Sequence, residues 1–145
     1  GGHLLVSPHP ANNVQVLLPA KKIVAWFKSE TAGTGWSSSV GQFSISARRR
    51  VFAYTARGYG AKASVRYLQG TKNDRLTFRN VLQDHYTICS VTRYTDVSAA
   101  ERILQGSESD IAFGHHSSGV GVVKFDSWQT KTGKRKRSTK WTTVC

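Results

Sequence analysis

DHYTICSVTRYTDVSAAERILQGSESDIAFGHHSSGVGVVKFDSWQT, residues 84–130, is a series of short β-like runs separated by turn chemistry. Tyr86 to Tyr94 alternates with period two: Tyr86, Ile88, Ser90 and Thr92 share one face, and Thr87, Cys89, Val91 and Arg93 share the other. Arg102 to Leu104 is a brief apolar run stopped by Gln105-Gly106. Ile111 to Phe113 ends at Gly114, and Gly121 to Phe125 ends at Asp126-Ser127. Short runs with Gly and Ser between them predict an all-β sandwich or barrel. Ala99 to Arg102 is the only place where a helix could start, and it is too short to hold one.

Upstream, Lys21–Lys28 is a short apolar run with lysines at both ends, suited to a strand at a sheet edge. Ser29–Val40 is a Gly- and Ser-rich loop carrying Trp36. Further strands are expected at Val51–Tyr54, Ser64–Leu68 and Arg75–Phe78, with a turn at Gly58-Tyr59-Gly60. Residues 1–20 hold all three prolines and read as an extended arm or linker, with room for one strand that docks on a neighbour, and residues 21–145 as one domain. Trp141–Cys145 opens a further strand on which the sequence ends, so the sheet is expected to be incomplete or to be completed by another copy or another chain.

The net charge is +13, unevenly spread. Residues 1–72 carry ten basic groups and one acid, residues 73–130 five basic groups and seven acids, and residues 131–140 six basic groups. Such a field attracts polyanions in general, whether nucleic acid, sulfated or carboxylated glycan, or acidic lipid, without choosing among them. No apolar run approaches the ~20 residues of a membrane-spanning helix. Cys89 and Cys145 either close one disulfide or remain two thiols, and the sequence leaves both open.

The ordered series Ala25-Trp26-Phe27-Lys28, Trp36 with Gly41, Thr87 to Tyr94, Arg102 to Gly106, Gly114-His115, Gly119-Val120-Gly121-Val122, Trp128 and Trp141 to Cys145 resembles the laminin-G-like branch of the concanavalin A-like jelly rolls. Within that branch it is similar to domains that recur in large surface proteins of aquatic microbes and algae. The resemblance covers residues 21–145 and implies an antiparallel jelly-roll β-sandwich. It also implies a non-catalytic binding or adhesion module, part of an extracellular or surface assembly, with a glycan or an acidic protein surface as partner and no cofactor. Loops carrying Trp36, Tyr59, His115 and Trp128 are then the expected ligand contacts. Two departures stand out: the family's closing strands have no counterpart after Cys145, and the loop before Trp141 is the basic KTGKRKR.

That loop, Lys134-Arg135-Lys136-Arg137, joins Arg48-Arg49-Arg50 as the strongest functional signal in composition. It suits a second class of function, a structural subunit of a capsid, filament or ribonucleoprotein that holds a polyanion. Its bland readings are a solvated loop, a processing site or a contact to an acidic neighbour. No recognition helix, zinc finger or RNA-binding aromatic motif accompanies it. Glu108 and Asp110, two apart on an expected strand, resemble half of a glycanase carboxylate set, but Ala112 and Phe113 stand where a third acid is needed. His115 and His116 are neighbours, so on a strand they point to opposite faces and do not ligate one ion; the sequence offers no metal site. The expectation is therefore a protein without enzymatic activity.

Overall fold

A computed structural model describes residues 2–7, 23–33, 35–78, 81–82, 84–107, 109–130 and 136–145, with residues 2–7 and 46–49 described by their backbone. Twelve strands are present among them: β1 (Gly2–Ser7), β2 (Ile23–Lys28), β3 (Ile45–Arg49), β4 (Phe52–Gly58), β5 (Ala61–Gln69), β6 (Arg75–Phe78), β7 (Tyr86–Thr92), β8 (Leu104–Gln105), β9 (Ile111–His116), β10 (Gly119–Phe125), β11 (Ser127–Trp128) and β12 (Thr142–Val144). About half of the chain is strand, so the protein is all-β. The helical element among the described residues is one 3-10 turn, Ser29–Thr31. No described helix is long and apolar enough to cross a membrane.

Pairs β3–β6, β4–β5, β7–β12, β8–β9, β9–β10 and β10–β11 are antiparallel. In departure from a wholly antiparallel sheet, β1 pairs with β2 in parallel, from His3 opposite Ile23 to Ser7 opposite Lys28. Parallel partners need a crossover of a dozen or more residues, a length that the chain between Ser7 and Ile23 supplies. The rest of the expected arm, residues 8–20, lies outside the described residues.

The chain divides into two compact units, Gly1–Cys89 with Cys145, and Ser90–Val144. In the first, Phe27, Trp36 and Phe78 meet edge to face with ring centroids 4.8–6.1 Å apart. Ala25, Ala32 and Val81 are buried with Phe27 and Trp36, and Phe43, Ile45 and Leu68 pack against them. Ile23, Trp26 and Cys89 form a second buried cluster with Val40 against it. Alternation along β2 explains why Trp26 and Phe27 serve different clusters.

β2 is the terminal strand of its sheet, as the flanking lysines suggest, and its outer edge is covered. The Trp26 amide donates to Ser38 Oγ at 2.7 Å, and the Ser39 amide donates to the Trp26 carbonyl at 2.8 Å. Ser38 Oγ also donates to the Val40 carbonyl, which fixes the loop that does the covering. Backbone groups that would otherwise invite another strand are thereby satisfied within the chain.

In the second unit β9 is central, flanked by β8 and β10, with β11 beyond β10. The expected run Arg102–Leu104 becomes the two-residue β8, displaced toward Gln105. Arg102 instead turns its guanidinium to Asp110 at 2.8 Å, with Lys124 closing the carboxylate from the other side. β12 runs along the C-terminal half of β7, with Thr142 opposite Thr92, Thr143 opposite Val91 and Val144 opposite Ser90.

One step further in this register sets Cys145 opposite Cys89. The two form a disulfide with Cα atoms 4.0 Å apart, spanning 56 positions of sequence. Closing a loop of that length removes chain entropy from the unfolded state worth roughly 4 kcal/mol in the loop-entropy account. Cys145→Ser is therefore expected to lower the unfolding free energy by about 2–4 kcal/mol in urea titrations, and wild-type protein in reductant should match it. An unchanged midpoint in both would remove the cross-link from the stability of the fold.

Candidate functional site

The acid-free part of the chain builds an exposed hairpin. Between Glu30 and Asp74 there are seven cations and no carboxylate. β4 and β5 lie in this segment, with Phe52 opposite Gln69, Tyr54 opposite Tyr67, Thr55 opposite Arg66 and Ala56 opposite Val65. Period-two alternation puts Phe52, Tyr54, Val65 and Tyr67 on one face and Ala53, Thr55, Arg66 and Leu68 on the other. On the second face Leu68 packs on the core and Arg66 Nε donates to the Ala32 carbonyl at 2.7 Å, while Ala53 and Thr55 are exposed. On the first face Val65, toward the tip, is buried and Tyr67 half-buried, while Phe52 is 53% and Tyr54 46% exposed.

Tyr54 and Tyr67 stack across the strands, with centroids 6.0 Å apart and planes 29° from parallel. At the tip, Gly58, Tyr59 and Gly60 all have positive φ, a left-handed turn that two glycines make accessible. It leaves Tyr59 exposed, with exposed Arg57 and Lys62 on either side. At the foot, Lys72, Asn73, Asp74 and Arg75 line a shallow depression of about 190 Å³. Asp74 is occupied within the protein. Its Oδ2 accepts from the Thr71 amide at 2.8 Å and from Thr71 Oγ1 at 2.7 Å, and Oδ1 lies 3.5 Å from Arg50 Nε. The hairpin thus carries exposed rings on one face and cations at both ends, Lys62 alternating with Arg66 onto the other face.

Of the residues singled out from the sequence, Tyr59 is exposed and Trp128 is half-buried. The His116 ring stacks on Trp128 at 5.5 Å and Lys124 Nζ lies 5.8 Å from its centroid. Trp36 is a core residue, 6% exposed, whose indole N–H donates to the Lys28 carbonyl at 2.8 Å. Its ring faces are taken up by Phe27 and Phe78, so it presents no platform to a ligand. Arg50 is exposed, and Lys136 and Arg137 are exposed. Lys134 and Arg135 lie outside the described residues, as do the side chains of Arg48 and Arg49; Glu108 also lies outside them. The carboxyl of Asp110 is held below the usual range by hydrogen bonds from Lys124 and then Arg102, the reverse of what a proton-donating acid needs. Among the described residues no three His, Cys, Asp or Glu side chains cluster as a metal set would.

His115 is the second correction: it is a strand residue and wholly buried, not a loop contact. Gly114, with φ +89°, brings β9 close to β7, where an added Cβ would lie 3.2 Å from Thr92 Oγ1 and 3.7 Å from Ser90 Oγ. His115 Nδ1 sits 3.0 Å from Thr92 Oγ1, and Tyr94 packs edge-on against the imidazole at 4.6 Å. His115 Nε2 and Ser90 Oγ are buried without a hydrogen-bond partner. Burial pushes the His115 pKa down to about 4. Tyr94 donates to the Glu101 carbonyl at 2.6 Å, and burial, with the nearby Glu101 charge, raises its pKa to about 12. The pair is a neutral packing element of the second unit.

No family model, curated protein or solved structure matches the chain. The likeness to laminin-G-like jelly rolls therefore rests on the sequence motifs.

The sequence reading missed the aromatic strip. Its signal was there: Phe52-Ala53-Tyr54 alternates, and Tyr67 stands in the next strand of an acid-free stretch.

His115 sets a pH dependence. Unfolded histidine titrates near 6.5, so between about 6.5 and about 4 the unfolded chain binds a proton that the folded one excludes. The stabilisation from neutral His115 is complete above the upper value and is lost as pH falls through the lower one. Urea unfolding of wild type should weaken more steeply from pH 7 to 4 than that of His115→Gln. Parallel curves would show that His115 is not the titrating group.

Proposed function

We propose that the chain is a non-catalytic binding module of laminin-G-like, jelly-roll type, acting as a structural part of a larger extracellular or surface assembly. Its ligand is an anionic polymer, met on the outer face of hairpin β4–β5. One observation carries this reading: Phe52, Tyr54 and Tyr59 are exposed on a hairpin whose own charges, Arg57, Lys62 and Arg66, are all cationic, and Asp74 at its foot is engaged by Thr71 and Arg50. Large exposed aromatics are costly to leave in water and mark interaction surfaces. Cations grouped beside them neutralise phosphate or sulfate and release counterions on binding. Lys136 and Arg137, also exposed, extend the basic character to the loop before β12.

The disulfide favours the extracellular side of the reading, because such bonds persist in oxidising surroundings. Asp110, held ionised by Lys124 and Arg102, does not suit the proton-donating role of a glycanase acid. A second reading, a neutral glycan ligand, keeps Tyr59 and Trp128 as its stacking residues and dispenses with the cations. The two differ in salt response.

Binding to a fluorescent polyanion should fall steeply with salt, with a log–log slope of about −3 if some four cations are engaged. Arg57→Ser with Lys62→Ser should reduce both affinity and slope. Salt-independent binding that survives this double substitution and is lost in Trp128→Ala would replace the polyanion with a neutral glycan.

A further inference from the structure

We infer that the anionic polymer is a single-stranded nucleic acid whose bases stack on Phe52, Tyr54 and Tyr67, an inference that rests on the polyanion reading of the same hairpin. The argument is one of where charge and flat surface lie. Cations occupy the two ends of the hairpin, Arg57 and Lys62 at the tip and Arg50, Lys72 and Arg75 at the foot. Between them one face offers rings: exposed Phe52 and Tyr54, and half-buried Tyr67 stacked with Tyr54 across the strands.

A ligand that fits must carry its charge apart from its flat neutral parts. Single-stranded nucleic acid does, with phosphates along one edge and uncharged aromatic bases along the other. In a sulfated glycan the charged groups sit on the rings themselves, so a ring laid on Tyr54 would bring hydrated sulfate over an apolar surface. A duplex keeps its bases stacked inside and offers the strip only phosphates, leaving the aromatic rings unused. The register supports a row in place of a lone ring, because Tyr54 and Tyr67 are direct cross-strand partners and Phe52 is two residues along on the same face. Seven residues of β4 extend roughly 23 Å, room for a few nucleotides. Base–aromatic stacking tolerates any base, so little sequence preference is expected.

The test uses the oxidised full chain and three labelled probes of matched charge: oligo-dT, a duplex of the same length, and dextran sulfate. Fluorescence anisotropy at fixed salt should show oligo-dT bound about tenfold or more tighter than either competitor. Tyr54→Ala should lower oligo-dT affinity about tenfold and leave its salt slope unchanged, whereas Tyr54→Phe should restore it. Thermal unfolding of each variant confirms that the exposed position has not altered the fold. Equal binding of the three probes, indifferent to Tyr54→Ala, overturns the nucleic-acid inference and leaves the polyanion reading standing. Preference for dextran sulfate overturns it in favour of a sulfated glycan. No binding of any probe at low salt overturns both.

Discussion

The cross-strand pair Cys89–Cys145 is the constraint on which the second unit depends. β7 and β12 touch over only three residue pairs, and three pairs of an antiparallel ladder are marginal in water. The disulfide fixes the next position of the same ladder covalently. A one-residue slip between these strands would turn every side chain to the opposite face, and the cross-link forbids it. Ser90 and Thr92 are thereby held on the side where Gly114 and His115 approach, and the close passage of β9 follows from that.

The two polar places of the protein obey opposite rules. Around His115 there is no compensating charge, and burial keeps the imidazole neutral beside Thr92 and Tyr94. On hairpin β4–β5 Phe52, Tyr54, Tyr59, Arg57 and Lys62 are exposed, and Asp74 at the foot is held by local hydrogen bonds. A buried neutral histidine contributes to packing in the way a Ser–Thr–Tyr cluster does. The hairpin rings are held differently, by the cross-strand stack of Tyr54 on Tyr67.

Local pattern was legible where local physics decides. The limits of β6 coincide with the expected Arg75–Phe78, and Tyr86–Thr92 follows its alternation. The all-β class followed from such runs. What failed to show depends on partners distant in sequence. β1 exists because β2 offers it a parallel edge, and nothing in GHLLVS announces that. Trp36 sits in a Gly- and Ser-rich loop of the kind that normally lies in water, yet its N–H reaches the Lys28 carbonyl and its ring fills the core. For His115-His116, alternation said that one side chain goes inward but not which; the close approach at Gly114 decides. The charge run Lys134–Arg137 is conspicuous because it is contiguous, while the cations around Tyr54 gather only when the hairpin forms.

The disulfide also sets how the chain responds to tension. A pull applied between the chain before Cys89 and Cys145 crosses directly through the sulfur–sulfur bond. The 56 positions spanned by that bond bear no load and yield no length, a reserve of roughly 190 Å at full extension. Stretching the oxidised protein would leave residues 90–144 outside the load path. A reductant would convert them into extensible polymer, so the same molecule is short and stiff or long and compliant according to its redox surroundings.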